Sequence, residues 1–268
     1  MNWSDPAHVQ AALACLLVCG GLGWFVPPAI SRLPEPEPEP ATSVTSVSSQ
    51  AVSSEADASG GPRRVFERAL PPRTAPKEPY ADIAGLTHLA PLTAAAAALV
   101  GALVGLVLGW TGALLYLVPL VPIGVALMVI DWRTTLLPTR ILHPTYVLLA
   151  VLIPLAALAD QDLDSLYRAG WGWLLVGGWF WLFWWLVNAW GFGDVRLARV
   201  LGPALGYLGW SQTLMGLVLI LFVGALGGLA MAVARRSLRV RVPYGPWMLL
   251  GALLAVLVGP WLARSLGY

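Results

Sequence analysis

The sequence predicts an all-α polytopic membrane protein, a helical bundle of about eight membrane segments with a disordered cytoplasmic linker. Hydrophobic residues make up 58% of its 268 residues and charged residues only 11%, and the mean hydropathy is +0.73. This composition leaves too little polar surface to cover a soluble globule of this size, so an integral membrane protein is indicated. The net charge of +2 is too small to indicate nucleic-acid binding. The lipid bilayer is therefore the first predicted partner.

Apolar runs along the chain define the predicted membrane segments. The longer runs have enough residues to cross a hydrocarbon core of about 30 Å at about 1.5 Å per residue. They are residues 9–30, 89–110, 113–130, 141–158, 170–190, 213–233 and 244–262. Residues 195–210 are largely apolar but only about 24 Å long as a helix. We count them as a short sixth segment.

Arginines between the apolar runs define the predicted orientation, because basic residues are enriched on the cytoplasmic side. These arginines are Arg133, Arg140, Arg196, Arg199 and the cluster Arg235, Arg236, Arg239 and Arg241. They all lie on one side only if residues 195–210 form an additional crossing. The same orientation places the acidic loop 160–164 and both termini outside.

Residues 34–80 form the predicted linker between the first transmembrane helix (residues 1–33) and the membrane-embedded domain (residues 81–268). Proline and glutamate alternate from residue 34 to residue 40, and the Ser/Thr/Ala/Val-rich stretch that follows has too few large apolar side chains to form a core. A basic cluster near the end of the linker either marks the cytoplasmic side or contacts anionic lipid. Its members are Arg63, Arg64, Arg68, Arg73 and Lys77.

Cys15 and Cys19 are the only cysteines in the chain. A spacing of four places both on one face of an apolar helix, but no further ligand is nearby, and a zinc site needs about four. We predict that they are buried small residues. The sequence predicts no metal site and no cofactor.

Asp131 and Asp194 are the candidate catalytic residues. An ionisable group at the edge of the hydrocarbon is costly and indicates a functional site. Two carboxyl groups that meet can do acid and base work. Gly191 and Gly193 are predicted supporting residues, because glycine lets the backbone bend and approach closely just before Asp194. The predicted topology places both aspartates at the cytoplasmic boundary.

Arg133 and Arg196 each follow one of these aspartates by two residues. They are the other predicted supporting residues, which contact a substrate or tune the carboxyl pair. The alternative is that each arginine pairs with its aspartate and serves topology alone. His143 and Asn188 lie near the site in sequence, and we predict that each bonds to local backbone.

Four segments together resemble the type IV prepilin peptidases, aspartic proteases of the inner membrane with a Gly-x-Gly-Asp signature. Residues 130–138 are similar to the family's first aspartate motif. Residues 191–198 and 201–210 are similar to its second aspartate motif. The opening of the family's last helix is similar to residues 242–246. The end of its first helix is similar to residues 23–26 with 32–34.

The resemblance implies an aspartic endopeptidase that removes the short charged leader of a prepilin or pseudopilin at the cytoplasmic membrane face, for a type IV pilus or for protein secretion. It implies that Asp131 and Asp194 share a proton, so that one activates a water while the other donates to the scissile carbonyl oxygen. Many members also carry a cysteine-rich zinc domain that methylates the product with S-adenosylmethionine. This chain has no Cys-x-x-Cys pair, so methyltransferase activity is not expected. At the position after Leu-Pro in the first motif, the family often has an acidic or amide side chain, whereas this chain has Thr139.

Other functions remain open from sequence. A signal-peptide-peptidase type of intramembrane protease also pairs two membrane aspartates, although the polar turn after Asp131 and the segment 242–246 favour the prepilin class. A proton-coupled transporter uses membrane carboxylates as relays, but such transporters often have internal repeats, and none is found here. A catalytically inactive assembly partner is the last alternative, and the intact aspartates argue against it.

Overall fold

The computed structural model describes residues 5–35, 78–187, 191–234 and 243–265. All regular structure in these ranges is helical. The helices are α1 (Pro6–Trp24), α2 (Val26–Ser31), α3 (Tyr80–Ala84), α4 (Leu89–Leu108), α5 (Leu114–Thr134), α6 (Thr139–Asp160), α7 (Asp164–Gly172), a π-helical segment (Trp173–Gly177), α8 (Gly178–Val187), α9 (Phe192–Leu208), α10 (Trp210–Ala234) and α11 (Gly245–Ser265).

Within these ranges, six helical stretches are long and apolar enough to cross a membrane. They are Pro6–Ser31, Leu89–Leu108, Leu114–Thr134, Thr139–Asp160, Asp164–Val187 and Trp210–Ala234. The predicted all-α, multi-pass membrane fold is therefore confirmed. The count of eight is not confirmed, because α9 has only 17 residues and the apolar part of α11, Gly245–Trp261, is also short.

Helix α9 is the central helix of the bundle. Ten of its 17 residues are buried, although its length is below that of an ordinary membrane span. Where α9 crosses α7, a Cβ added to Gly202 would collide with the backbone oxygen of Gly172. Only glycine at this crossing allows the two backbones to approach so closely. The protein therefore surrounds α9, and the residues at its amino end are held by several neighbours.

Helix α1 packs closely against α4. A Cβ on Gly101 would lie 2.7 Å from both the backbone oxygen of Cys15 and the sulfur of Cys19, and one on Gly105 would lie 2.6 Å from the backbone oxygen of Ala11. Both cysteines are buried and unpaired in this contact. They pack as the small buried residues that the sequence predicts.

The acidic loop after α6 is a structural element as well as a polar surface. The carboxylate of Asp160 accepts hydrogen bonds from the backbone N–H of Gly112 at 2.6 Å and from the hydroxyl of Tyr207 at 2.7 Å. Asp162 pairs with Arg168 at 2.7 Å. These bonds hold the beginning of α5, the ends of α6 and α9, and the beginning of α7 together.

Most of the predicted linker lies outside the described residues, as do the basic cluster at 63–77, the cluster at 235–241, and Asn188. The ends of the linker are described. The carboxylate of Glu35 accepts hydrogen bonds from the backbone N–H groups of Tyr80 at 2.8 Å and Ala81 at 3.1 Å. Val26 and Ile30 of α2 pack with α3 against α5. The chain therefore leaves the bundle and returns to it at one place.

Candidate active site

Asp131 lies in the last turn of α5 and is only 3% exposed. Its carboxylate accepts a hydrogen bond of 2.8 Å from the backbone N–H of Gly245, the first residue of α11. An unpaired N–H at a helix start carries partial positive charge and favours a negative group beside it. The last helix therefore satisfies a buried carboxyl group that would otherwise be costly in this position.

Asp194 is the third residue of α9 and is half-buried. Its carboxylate accepts a hydrogen bond of 3.1 Å from the backbone N–H of Gly191, the residue that precedes the helix. This bond folds the Gly-Phe-Gly-Asp segment back on itself and fixes the side chain at the helix start. Asp194 is thus presented at an amino end of the bundle's central helix.

The two predicted supporting glycines differ in their roles. A Cβ on Gly193 would lie 3.1 Å from the Cβ of Leu137, in the turn that follows Asp131, so glycine allows this close contact. Gly191 has an ordinary extended conformation, with φ of −68° and ψ of 150°, and it is exposed. The reasoning from glycine's flexibility therefore applies to Gly193 and not to Gly191.

The structure brings the two aspartate motifs to the same end of the bundle. Leu137, in the turn after Asp131, lies against Gly193, the residue before Asp194, although the two aspartates belong to helices far apart in sequence. The carboxyl end of α5 and the amino ends of α9 and α11 meet at this end of the bundle. In such a site, two like charges disfavour simultaneous ionisation.

Neither supporting arginine pairs with the aspartate two residues before it. Arg133 is on the surface and forms an ion pair of 3.3 Å with Glu78, at the end of the linker. Arg196 donates a hydrogen bond to the hydroxyl of Thr139, the first residue of α6. The interpretation in which each arginine only neutralises its neighbouring aspartate is therefore wrong for the described residues.

Arg196 has further contacts that tie α9 to α6. Its guanidinium carbon lies 4.7 Å from the centre of the Phe192 ring, within the range of a cation–π contact. Its backbone oxygen accepts a hydrogen bond of 2.9 Å from the hydroxyl of Tyr146. With Thr139, these contacts fix the second aspartate motif to the helix that follows the first.

Residues 118–233 match the model of a family described as Type IV leader peptidase family. This match is a similarity over these residues, which we call the leader peptidase segment. The match covers both Asp131 and Asp194. Neither a comparison with curated proteins nor one with solved structures gave a match.

Gly245, whose N–H donates to Asp131, lies beyond the end of the leader peptidase segment. The sequence did not predict this role for Gly245. Residues 242–246 do resemble the opening of the family's last helix, but nothing in the sequence connects that segment to Asp131. Tyr146 was missed for the same reason, because its bond to α9 is a tertiary contact. His143 is exposed, and its ring lies 6.1 Å from that of Tyr146.

A groove between α4 and α11 begins beside Asp131 of the leader peptidase segment. Its outer part has a volume of about 670 Å³ and is lined mainly by apolar side chains, together with the polar residues Thr87, His88 and Arg133. Its inner part, of about 230 Å³, is lined by aliphatic side chains. Met128 and Leu250 line both parts, so the two parts are adjacent. Its polarity therefore falls from the end near Asp131 toward the middle of the bundle.

Proposed function

We propose that this protein is an aspartic endopeptidase that removes the short leader of prepilin-like substrates, with Asp131 and Asp194 as its catalytic pair. The observation that supports this most is the packing of Gly193, the residue before Asp194, against Leu137 in the turn after Asp131, within a segment that matches the leader peptidase family. A pair of carboxyl groups supplies one acid and one base in one site.

The proposed reaction begins with the pair holding one proton. The ionised carboxylate removes a proton from a water molecule, whose oxygen then attacks the scissile carbonyl carbon. The protonated partner donates its proton to the carbonyl oxygen as the tetrahedral intermediate forms. When the intermediate collapses, the C–N bond breaks, the amine receives a proton from the pair, and one hydroxyl group of the intermediate gives its proton back to the pair, which again holds one proton. The titration belongs to the pair as a whole, so base and acid are not assigned to individual residues.

The groove between α4 and α11 fits the proposed substrate. A prepilin-like chain has a short charged leader followed by an apolar helix. The apolar helix would lie against the inner part of the groove, whose 230 Å³ cavity has room for a large side chain. The leader would then extend past Trp132 and Arg133 toward the carboxyl pair. This arrangement agrees with the predicted location of the site at the cytoplasmic face of the inner membrane, in pilus assembly or protein secretion.

The test is leader removal in cells that co-express the protein with a tagged prepilin. We expect Asp131→Asn and Asp194→Asn each to reduce the rate by roughly 10²- to 10⁴-fold, the usual contribution of a general acid or base. Asp164→Asn removes the same charge from an exposed position at the other end of the bundle and should cleave like the wild type. Leader removal that persists in either site variant, at equal protein abundance, would reject the aspartic mechanism.

A further inference from the structure

Arg199 lies on α9 five residues after Asp194, further into the bundle, and its side chain is half-buried. Within the described residues, the guanidinium forms no hydrogen bond or ion pair, and its specific contact is with the Trp173 ring, 5.8 Å from the ring centre. An arginine is always charged. A charge without an anionic partner at this depth is costly and indicates a functional site.

The π-helical segment provides the space for this side chain. A Cβ on Gly177 would lie 2.7 Å from the Cγ of Arg199, so glycine at this position lets the arginine lie along the segment. Single π-helical turns often occur at functional sites. The local backbone thus accommodates the charged group without pairing it.

Arg199 lines a cavity of about 450 Å³ between α6, α7 and α9. Tyr146, Trp173 and Arg199 form one end, which is the end nearer to the carboxyl pair. The hydroxyl of Tyr146 is already bonded to the backbone of α9. The remaining lining is apolar or small, and consists of Leu149, Ala150, Ile153, Pro154, Ala169, Gly170 and Pro203. The cavity therefore has one cationic end and one apolar end.

We propose that this cavity binds an anionic phospholipid. The guanidinium donates hydrogen bonds to the phosphate oxygens, for which its planar geometry is well suited. One acyl chain lies along the apolar end between α6 and α9. A small free anion would leave that apolar space empty, whereas a phospholipid fills both ends. The bound lipid comes from the leaflet that borders the carboxyl pair.

The proposal is tested with the purified full-length protein, by native mass spectrometry with dioleoylphosphatidylglycerol as the anionic probe and dioleoylphosphatidylcholine as the zwitterionic one. We expect one phosphatidylglycerol to bind at least about tenfold more tightly than phosphatidylcholine. Arg199→Gln should remove this preference, because a hydrogen bond between charged groups contributes about tenfold or more in affinity. Arg140→Gln, at an exposed position near the same end of the bundle, should retain it.

A second variant tests the apolar end without altering the charge. Gly170 lines the cavity, and nothing lies within 4 Å of a Cβ added there, so Gly170→Leu adds apolar volume at the cavity wall without a clash at its Cβ. It should weaken phosphatidylglycerol binding, whereas Gly21→Leu, at an equally open and exposed position on α1, should not. Unchanged binding in both Arg199→Gln and Gly170→Leu would overturn the proposal. Loss of the bound lipid in the presence of millimolar inorganic phosphate would also overturn it, since that result indicates a free-anion site.

Discussion

Gly245→Ala should impair catalysis without unfolding the protein. The added Cβ would lie 2.8 Å from a carboxylate oxygen of Asp131, whereas ordinary contact begins at 3.4 Å. The carboxyl group must therefore move by about 0.6 Å, and its hydrogen bond from the Gly245 N–H is lost or lengthened. Such a bond to a charged group contributes about 1.5–3 kcal/mol, which corresponds to a rate decrease of roughly 10- to 150-fold. Alanine favours helix more than glycine, so α11 itself is not weakened.

The assay is the initial rate of leader removal from a prepilin by the purified protein in detergent, with the thermal unfolding midpoint measured on the same sample. Gly228→Ala is the matched control, because nothing lies within 4 Å of a Cβ added there. A Gly245→Ala rate within about threefold of the wild type, in a protein whose Asp131→Asn variant is inactive, would refute the conclusion that α11 positions Asp131.

Three further predictions concern stability, measured as the thermal unfolding midpoint in detergent. Gly172→Ala places a Cβ against a backbone oxygen of α9 and should lower the midpoint by more than about 4 °C, whereas Gly170→Ala, which meets open space, should not lower it. Tyr207→Phe loses a 2.7 Å hydrogen bond to the carboxylate that ends α6 and should lower stability by about 1.5–3 kcal/mol while leader removal continues unchanged. The hydrogen bond from Arg168 lowers the pKa of Asp162 below its ordinary value of 3.8. Its stabilising effect is therefore present above that value and lost as the pH falls through the lowered pKa, so Arg168→Gln should lower the midpoint at neutral pH but not in strong acid.

The hydropathy pattern predicts where the apolar segments lie more accurately than it predicts the residues at which the helices end. The apolar run predicted at 113–130 ends where polar residues begin, but α5 continues to Thr134, because a helix ends where its backbone hydrogen bonds end. The break comes at Thr135, which has a left-handed conformation with φ of 51°. Polar side chains at the membrane surface leave those backbone bonds intact, so a hydropathy profile does not detect the last turn.

The aspartates could be found from sequence because a carboxyl group beside an apolar run is unusual by itself. Their partners could not, because the bonds from Gly245 to Asp131 and from Arg196 to Thr139 join residues that are distant in sequence. The alternative in which each arginine pairs with the aspartate two residues before it fails for a physical reason. Residues two apart on a helix point in different directions, whereas residues three or four apart are neighbours.

The contact between Glu35 and the start of α3 has a consequence for how the chain tolerates change. Because the Glu35 carboxylate bonds to the backbone of Tyr80 and Ala81, the two ends of the connection are held next to each other. A longer, shorter or independently folded connection would begin and end at the same two places, Glu35 and the start of α3. This gives a geometric reason to expect that changes in the length and sequence of this connection are tolerated. It also marks this junction as a place where a reporter domain could be inserted.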